Sequence, residues 1–217
     1  MVETGWKNSM SKRKFIVFEG IDGSGKTTQV ELIAKWLEST GESLLVTKEP
    51  GGTELGAYLR NVLTGRYQNI ELCPEAELLL FAADRIQHVK EVIVPALLQG
   101  KTVLCDRFTA STTAYQGYGR GLNKRLVGQV NRMSTAGLLP DLTVYLDLDV
   151  EIALQRIAAR GGGNSLDKEK VAFYQKVRTG YRNSLNSSNF VIIKADQSIG
   201  TVTQEIIHAI KDFFHDN

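Results

Sequence analysis

The sequence has no apolar stretch long enough to cross a membrane. Its longest uninterrupted apolar run, residues 78–83, falls far short of the roughly 18 residues that a membrane-spanning helix needs. It also shows no leader with a basic start and an apolar core, because residues 1–14 are largely polar. We therefore expect a soluble protein of the cytoplasm, with no membrane partner.

Cysteine is scarce, and neither sign of charge is in excess. Cys73 and Cys105 are the only cysteines, and neither has a second cysteine or a histidine at metal-ligand spacing. This pattern excludes a disulfide framework and a cysteine-based metal site. Lys and Arg number 26 against 24 Asp and Glu, and such a balance argues against a dedicated nucleic-acid binder.

The length of the chain, 217 residues, suits one sizeable α/β core and is short for two. Apolar runs that predict strands alternate with helical patterns, which is typical of βαβ units around a parallel sheet. We expect a single domain over residues 12–217, a disordered extension over 1–11 and a mobile lid near 156–168. The five predicted strands are residues 15–19, 43–47, 102–105, 142–146 and 190–193.

Three helices have clear sequence signals. Apolar residues at helical spacing predict a helix after the first strand, ending near Ser39. Thr53 is a good N-cap for a second helix. Residues 74–99 predict a long helix that is disturbed before Pro95, because proline removes a backbone hydrogen bond one turn earlier.

A glycine-rich segment follows the first strand and matches the pattern G-x-x-x-x-G-K-[ST] without a mismatch. Glycines let backbone N–H groups form a concavity for phosphate oxygens, next to the positive end of a helix. In such a loop the lysine reaches the β- and γ-phosphates and the hydroxyl of Thr27 binds Mg²⁺. The residues expected to bind ATP are Gly20, Ile21, Asp22, Gly23, Ser24, Gly25, Lys26 and Thr27.

The third predicted strand is followed by Asp106 and Arg107, at the edge of a parallel sheet where ligands bind. Asp106 could hold Mg²⁺, and Arg107 could grip a second phosphate with two parallel hydrogen bonds. The alternative is a surface ion pair. The guanine-reading pattern Asn-Lys-x-Asp of GTPase switches is absent from the sequence, which favours a phosphotransferase.

Phe81 and Arg85 are four residues apart and share a face of a predicted helix. An aromatic ring beside a guanidinium suits a nucleobase, although a phenylalanine at such a position is often core. Arg60 remains open between a substrate ligand and a solvated helix residue.

Together these segments resemble the thymidylate kinase family, over almost the whole chain. The resemblance implies a Mg²⁺-dependent enzyme that phosphorylates dTMP to dTDP with ATP, in dTTP biosynthesis. It also implies a homodimer with the three-layer P-loop kinase fold, a five-stranded parallel sheet with helices on both faces. The segments that carry it are FEGIDGSGKTT (18–28), KEPGGT (48–53), LFAADR (80–85), DRF (106–108), AYQG (114–117) and PDLTVYLD (140–147).

The resemblance also implies roles for individual residues. Phe81 would stack on thymine, Arg85 would reach its O4 atom, and Asp22 would face the 3′-hydroxyl of the sugar. Arg60 and Arg107 would hold the acceptor phosphate. The base and deoxyribose pocket would be completed by Ser111, Thr112, Tyr115 and Gln116.

The glycine-rich loop contains no arginine, so the chain resembles the subgroup of the family whose catalytic arginine lies on the lid. That lid often carries an Asp-Arg pair, where this chain has Asn164 and Ser165. Arg156 and Arg160 are therefore the candidates for the catalytic charge, together with Lys26 and Arg107. Two alternatives stay open: a related kinase for another nucleotide or a deoxynucleoside, and a nucleotide-binding module without turnover.

Overall fold

The computed structural model describes residues 14–64, 70–160, 168–184 and 189–215. The extension expected at residues 1–11 and the centre of the expected lid, residues 161–167, lie outside the described residues. No helix within the described ranges is long and apolar enough to span a membrane.

The centre of the fold is a five-stranded parallel sheet in the order β2-β3-β1-β4-β5. Each strand lies within one residue of its predicted bounds. Three strands extend one residue further, to Asp106, Asp147 and Lys194, and the second is shifted by one residue and ends at Lys48. The strands are β1 (Phe15–Glu19), β2 (Leu44–Lys48), β3 (Thr102–Asp106), β4 (Leu142–Asp147) and β5 (Phe190–Lys194).

Helices cover both faces of the sheet, as the fold class predicted from the sequence requires. They are α1 (Lys26–Ser39), α2 (Glu54–Leu63), α3 (Pro74–His88), α4 (Val94–Leu98), α5 (Thr109–Thr112), α6 (Lys124–Thr135), α7 (Val150–Ala159), α8 (Lys168–Asn183) and α9 (Ile199–His215). Two π-helical segments, Val89–Ile93 and Thr113–Gly119, continue α3 and α5. Thr53 caps α2, as predicted, by accepting a hydrogen bond from the backbone N–H of Gly56 at 2.9 Å.

The long helix predicted over residues 74–99 is divided into α3, a π-helical segment and α4. Pro95 has no N–H group to donate one turn back, so the α-helical ladder cannot pass through this point unchanged. A π-helical turn ends immediately before Val94 and absorbs the mismatch. The disturbance predicted before Pro95 is confirmed, and its form is a widened turn.

The strand β1 lies between two hydrophobic clusters and is buried throughout. Ile16 and Phe18 pack into the cluster on one face of the sheet, and Phe15 and Val17 pack into the cluster on the other. Because both faces are covered, the strand is apolar up to its last residue, Glu19. The sheet order reverses on either side of β1, which opens a crevice at its carboxyl end.

Candidate active site

The glycine-rich loop connects β1 to α1 in this crevice. Gly23 has φ +83°, and a Cβ atom there would lie 2.6 Å from the carbonyl oxygen of Ala153. Gly25 also has a left-handed backbone and caps α1 without a side-chain hydrogen bond. The loop therefore leaves backbone N–H groups and the N-terminus of α1 facing the crevice, the arrangement that binds phosphate.

The side chain of Lys26 lies inside the glycine-rich loop and contacts its backbone. Its Nζ atom donates to the carbonyl oxygens of Gly20 and Ile21, each at 3.0 Å, and its side chain is buried. Burial and the neighbouring charge of Arg107 lower the pKa of Lys26 to about 8. An anion placed in the loop would restore its proton affinity, so the lysine is well suited to a phosphate partner.

Thr27 and Asp106 form a pair of oxygen ligands at the floor of the crevice. The Thr27 hydroxyl donates to Asp106 Oδ2 at 2.8 Å. Asp106 Oδ1 is buried and has no hydrogen-bond partner within the described parts of the chain. A hydroxyl, a carboxylate and an open acceptor atom fit the oxygen preference of Mg²⁺, which is typically bound by one or two carboxylates together with phosphates. These two residues therefore fit a magnesium site.

A cavity of about 560 Å³ opens above the loop. Cationic side chains from five parts of the chain converge on it, namely Lys26, Lys48, Arg60, Arg107 and Arg160. Such a concentration of positive charge matches a triphosphate.

Arg107 stands between this cavity and a second one of about 210 Å³, and it lines both. Its guanidinium donates to the carbonyl oxygen of Gly20, to Ser111 Oγ and to the Tyr181 hydroxyl at 3.1–3.2 Å. Its backbone has φ +76°, a rare conformation for a residue with a side chain. The N–H of Arg107 donates to the carbonyl of Phe18 at 2.9 Å, which holds this strained residue in place.

Asp22 is the partner of Arg107 on the glycine-rich loop. Arg107 Nη2 lies 2.5 Å from Asp22 Oδ1, and the hydroxyls of Tyr115 and Tyr174 donate to Oδ2 at 3.2 and 2.9 Å. Partial burial opposes ionisation, but the charges of Arg107 and Lys26 outweigh it and lower the pKa of Asp22 to about 2. The carboxylate is therefore ionised at neutral pH and balances Arg107.

The second cavity brings together every residue that the sequence analysis assigned to substrate binding. Phe81 is partly buried and lines it, and Arg60 lines both cavities while donating to the carbonyl of Pro50 at 2.8 Å. The other members of this set that line the cavity are Asp22, Arg85, Arg107, Ser111, Thr112, Tyr115 and Gln116.

Arg85 lies at the back of this cavity, and its guanidinium is held by protein acceptors. Its side chain is 2% exposed, and Nε lies 2.7 Å from Glu49 Oε2. Nη1 and Nη2 donate at 3.2 Å to Asn131 Oδ1 and to the carbonyl of Phe108. These bonds use three of the five donors of a guanidinium, which leaves two for a ligand.

Several residues of the site had no assigned role in the sequence analysis. Glu19 is fully buried and accepts hydrogen bonds from the N–H groups of Phe108 and Ser111, and burial raises its pKa. Tyr174 and Tyr181 come from α8, far along the chain. One sequence signal could have identified Glu19 as a site residue, namely a charged residue at the end of an apolar strand. No sequence signal identified the two tyrosines.

The two candidate catalytic arginines of the lid lie at the end of α7. Arg156 donates to the carbonyls of Gly23 and Ala195, at 3.4 and 3.1 Å. Arg160 caps α7, is exposed and lines the cavity above the glycine-rich loop. Asn164 and Ser165 lie outside the described residues.

Comparisons with known proteins point to one family. The family model described as thymidylate kinase matches residues 18–206. A thymidylate kinase of Nostoc punctiforme is 49% identical over 201 residues, which cover 91% of this chain and 94% of that protein. One of Pelotomaculum thermopropionicum is 52% identical over 171 residues, covering 78% and 79%. In structure, the chain is similar to the crystal structure of thymidylate kinase from Ehrlichia chaffeensis, with a TM-score of 0.74, 36% identity, and coverage of 91% of this chain and 98% of that one.

Proposed function

The chain belongs to the thymidylate kinase family and phosphorylates dTMP to dTDP with ATP, and we propose that the two cavities that meet at Arg107 hold these two nucleotides. The observation that carries this assignment is the position of Arg107. One guanidinium faces both a cationic cavity above a phosphate-binding loop and a cavity lined by Phe81 and Arg85. Donor and acceptor phosphates would therefore approach each other beside it.

Phosphoryl transfer needs little covalent chemistry from the protein, because positioning and charge stabilisation dominate. We assign the β- and γ-phosphates of ATP to the loop at residues 20–27 and to Lys26. Arg60 and Arg107 would hold the phosphate of dTMP in line with them. The two arginines offset the repulsion between these anions. Asp22 holds the guanidinium of Arg107 in its position between the two substrates.

Thr27 and Asp106 would hold Mg²⁺. When bound, the ion neutralises charge on the transferring phosphoryl group. The protein's own contribution at this point is the buried Oδ1 atom of Asp106, which has no hydrogen-bond partner among the described residues. The hydrogen bond from Thr27 to the other carboxylate oxygen directs it.

The adenosine of ATP is assigned to a third cavity, of about 350 Å³, beside the glycine-rich loop. Gly23, Arg156, Gln197 and Ile199 line it. It adjoins the loop through Gly23 and offers apolar wall area together with a guanidinium, a combination that suits a purine ring. Both Arg156 and Arg160 line this cavity, but only Arg160 also lines the cavity above the loop. Arg156 would therefore contact the nucleoside, and Arg160 would serve the phosphates.

We also propose a homodimer. The helices α2 and α6 both pack against α3, and the three leave large apolar side chains exposed. Exposed large apolar side chains on neighbouring helices are typical of an interaction surface, and a second copy of the chain is the proposed occupant. The exposed side chains are Leu55, Tyr58, Leu79, Leu126 and Met133. Sedimentation velocity tests this: the wild type should sediment as a dimer, and Leu79→Asp with Met133→Asp as a monomer.

A cytoplasmic location is proposed as well, since Cys73 is an exposed free thiol, which persists in a reducing compartment.

The function itself is tested by ADP release with dTMP, dCMP, GMP and AMP at fixed ATP and Mg²⁺. Turnover with dTMP should exceed that with the other three monophosphates. Equal turnover with any of them would refute the assignment of the acceptor cavity to thymidylate.

A further inference from the structure

A chain of buried polar side chains lies behind the acceptor cavity and ends at Arg85. His88 is completely buried, and its Nδ1 atom lies 3.0 Å from Glu49 Oε1. The other oxygen of Glu49 accepts from Arg85 Nε at 2.7 Å. On the far side of the ring, His88 Nε2 lies 2.7 Å from the hydroxyl of Thr47. The order of contacts is therefore Thr47, His88, Glu49, Arg85.

The chemistry of these groups fixes the direction of the chain. A carboxylate only accepts hydrogen bonds, so the Nδ1 atom of His88 carries a proton and donates to Glu49. In the neutral ring, Nε2 then accepts from the Thr47 hydroxyl. Each oxygen of Glu49 is thereby paired with one donor, and the carboxylate cannot rotate without losing one of them.

The ring of His88 also supports the loop that follows Glu49. A Cβ atom at Gly52 would lie 2.4 Å from the ring, so the imidazole packs directly against this backbone. Two residues earlier, the carbonyl of Pro50 accepts from Arg60. His88 thus supports two of the three arginines that line the acceptor cavity, Arg85 through Glu49 and Arg60 through the loop at residues 50–52.

We infer that His88 is a positioning residue for nucleobase recognition, acting through Glu49 to fix the guanidinium of Arg85 against the acceptor cavity. This inference rests on the proposed assignment of that cavity to dTMP. Without the Nδ1 donor, Glu49 Oε1 is left unpaired. Glu49 lines both cavities, so a carboxylate that has lost one of its two donors would be free to rotate, and it would no longer fix the guanidinium of Arg85.

The selectivity of the enzyme for dTMP over dCMP tests this role. Thymine has a carbonyl at position 4, which can accept from the Arg85 guanidinium, whereas cytosine has an amine there. His88→Phe keeps a ring against Gly52 and removes the donor to Glu49. We expect the ratio of kcat/KM for dTMP over dCMP to fall roughly tenfold in this variant, the size of effect that loss of a hydrogen bond to a charged group produces. KM for ATP should not change.

Two further variants separate positioning from bulk stability. His88→Asn retains an N–H donor in place of Nδ1 and should keep the ratio within about threefold of the wild type. His208→Phe replaces an exposed histidine that pairs with Asp212 at the surface, and it should leave the ratio unchanged. If His88→Phe does not fold, Thr47→Val is used instead, because it removes the hydroxyl that contacts Nε2 of His88 with little change in shape. A lowered ratio of kcat/KM for dTMP over dCMP in Thr47→Val supports the inference, and an unchanged ratio overturns it.

Arg85→Ala distinguishes the possible failures. A lowered ratio in Arg85→Ala together with an unchanged ratio in His88→Phe overturns the role of His88 and leaves the proposed function standing. An impaired His88→Asn, equal to His88→Phe, overturns it as well. If the wild type itself accepts dCMP as readily as dTMP, the proposed function fails first and the inference fails with it.

Discussion

Tyr174 donates the hydrogen of its hydroxyl to Asp22 Oδ2 at 2.9 Å and thereby joins α8 to the glycine-rich loop. The helix α8 begins at Lys168, immediately after residues 161–167. Asp22 in turn pairs with Arg107, which lies between the two cavities assigned to the nucleotides. A helix on the far side of the expected lid is thus in direct contact with the ion pair that we propose orients the acceptor phosphate.

Tyr174→Phe tests this contact. The variant removes one of three donors to Asp22, and since the carboxylate is partly exposed the loss should be small, about 1 kcal/mol, or roughly fivefold in an equilibrium constant. We expect KM for dTMP to rise by about this factor with kcat close to the wild type. Initial-rate kinetics with varied dTMP measure it.

Tyr118→Phe is the matched control. It also removes a hydroxyl that contacts α8: Tyr118, in the π-helical segment Thr113–Gly119, accepts from Asn183 of α8 at 3.2 Å, and Asp22 is not involved. The same KM in both variants would show that the Tyr174 hydroxyl supports only the packing of α8.

The fold could be predicted closely because its signals are local. Buried strands appear as apolar runs, and the glycine-rich loop is one uninterrupted motif. The missing information is tertiary: Glu49 and Asn131, which hold Arg85, lie 36 and 46 residues away from it. Tyr174 and His88 carried no motif signal, since a lone aromatic or histidine on a helix is usually core. The sequence could therefore place residues in the site without showing which of them are already engaged with one another.

Asp22→Ala tests the role expected for this carboxylate toward the sugar. Arg107 occupies one acceptor position of Oδ1 and the two tyrosines occupy Oδ2, so of the roughly four acceptor positions of a carboxylate one remains open. We predict that it accepts from the 3′-hydroxyl of dTMP. Asp22→Ala should then discriminate less than the wild type between dTMP and its 3′-deoxy analogue, measured as kcat/KM.

Asp22→Asn is the control that keeps an oxygen acceptor while removing the charge. It should retain more of the preference for the 3′-hydroxyl than Asp22→Ala does. Equal losses on both substrates in both variants would assign Asp22 to the orientation of Arg107 alone.

Asp84 predicts a specific pH dependence of stability. Its side chain is fully buried, one oxygen accepts from the N–H of Gly51, and the other has no partner among the described residues. Burial, followed by the charge of Glu49, raises the pKa of Asp84 to about 6, compared with about 3.9 in an unfolded chain. Below about pH 4 the carboxyl group of Asp84 is protonated in both the folded and the unfolded chain, so it does not change the free energy of unfolding. As the pH rises from there to about 6, Asp84 ionises in the unfolded chain but stays protonated in the folded one. The free energy of unfolding therefore falls over this range.

Asp84→Asn removes this titration while keeping an acceptor for Gly51. We expect the free energy of unfolding of the variant, relative to the wild type, to increase by roughly 2–3 kcal/mol between pH 4 and pH 7. Urea unfolding at four pH values measures it, with Asp196→Asn, at an exposed position, as the control. A constant difference between Asp84→Asn and the wild type across this range would contradict the raised pKa.

Arg160 is predicted to supply the catalytic charge of the lid, and Arg156 is not. The guanidinium of Arg156 already donates to two backbone carbonyls beside the glycine-rich loop, whereas the Arg160 side chain is exposed and lines the cavity assigned to the phosphates. The two lie at i, i+4 spacing, where like charges repel unless they share an anionic partner. An arginine that reaches the transferring phosphoryl group contributes on the order of 10³–10⁵ to the rate.

Arg160→Ala should therefore lower kcat by about 10³–10⁵, while the Kd for ATP without dTMP changes little. Arg160→Lys should recover only part of the lost kcat, because an ammonium keeps the charge without the planar fork of donors.

Arg156→Ala should instead weaken ATP binding, because Arg156 lies beside Gly23 and Ala195 and lines the cavity assigned to adenosine. Single-turnover kinetics and calorimetric titration with ATP separate the two effects. A kcat within a few-fold of the wild type in Arg160→Ala would transfer the role to Arg156, and full activity of both single variants would exclude residues 156–160 as the source of the charge.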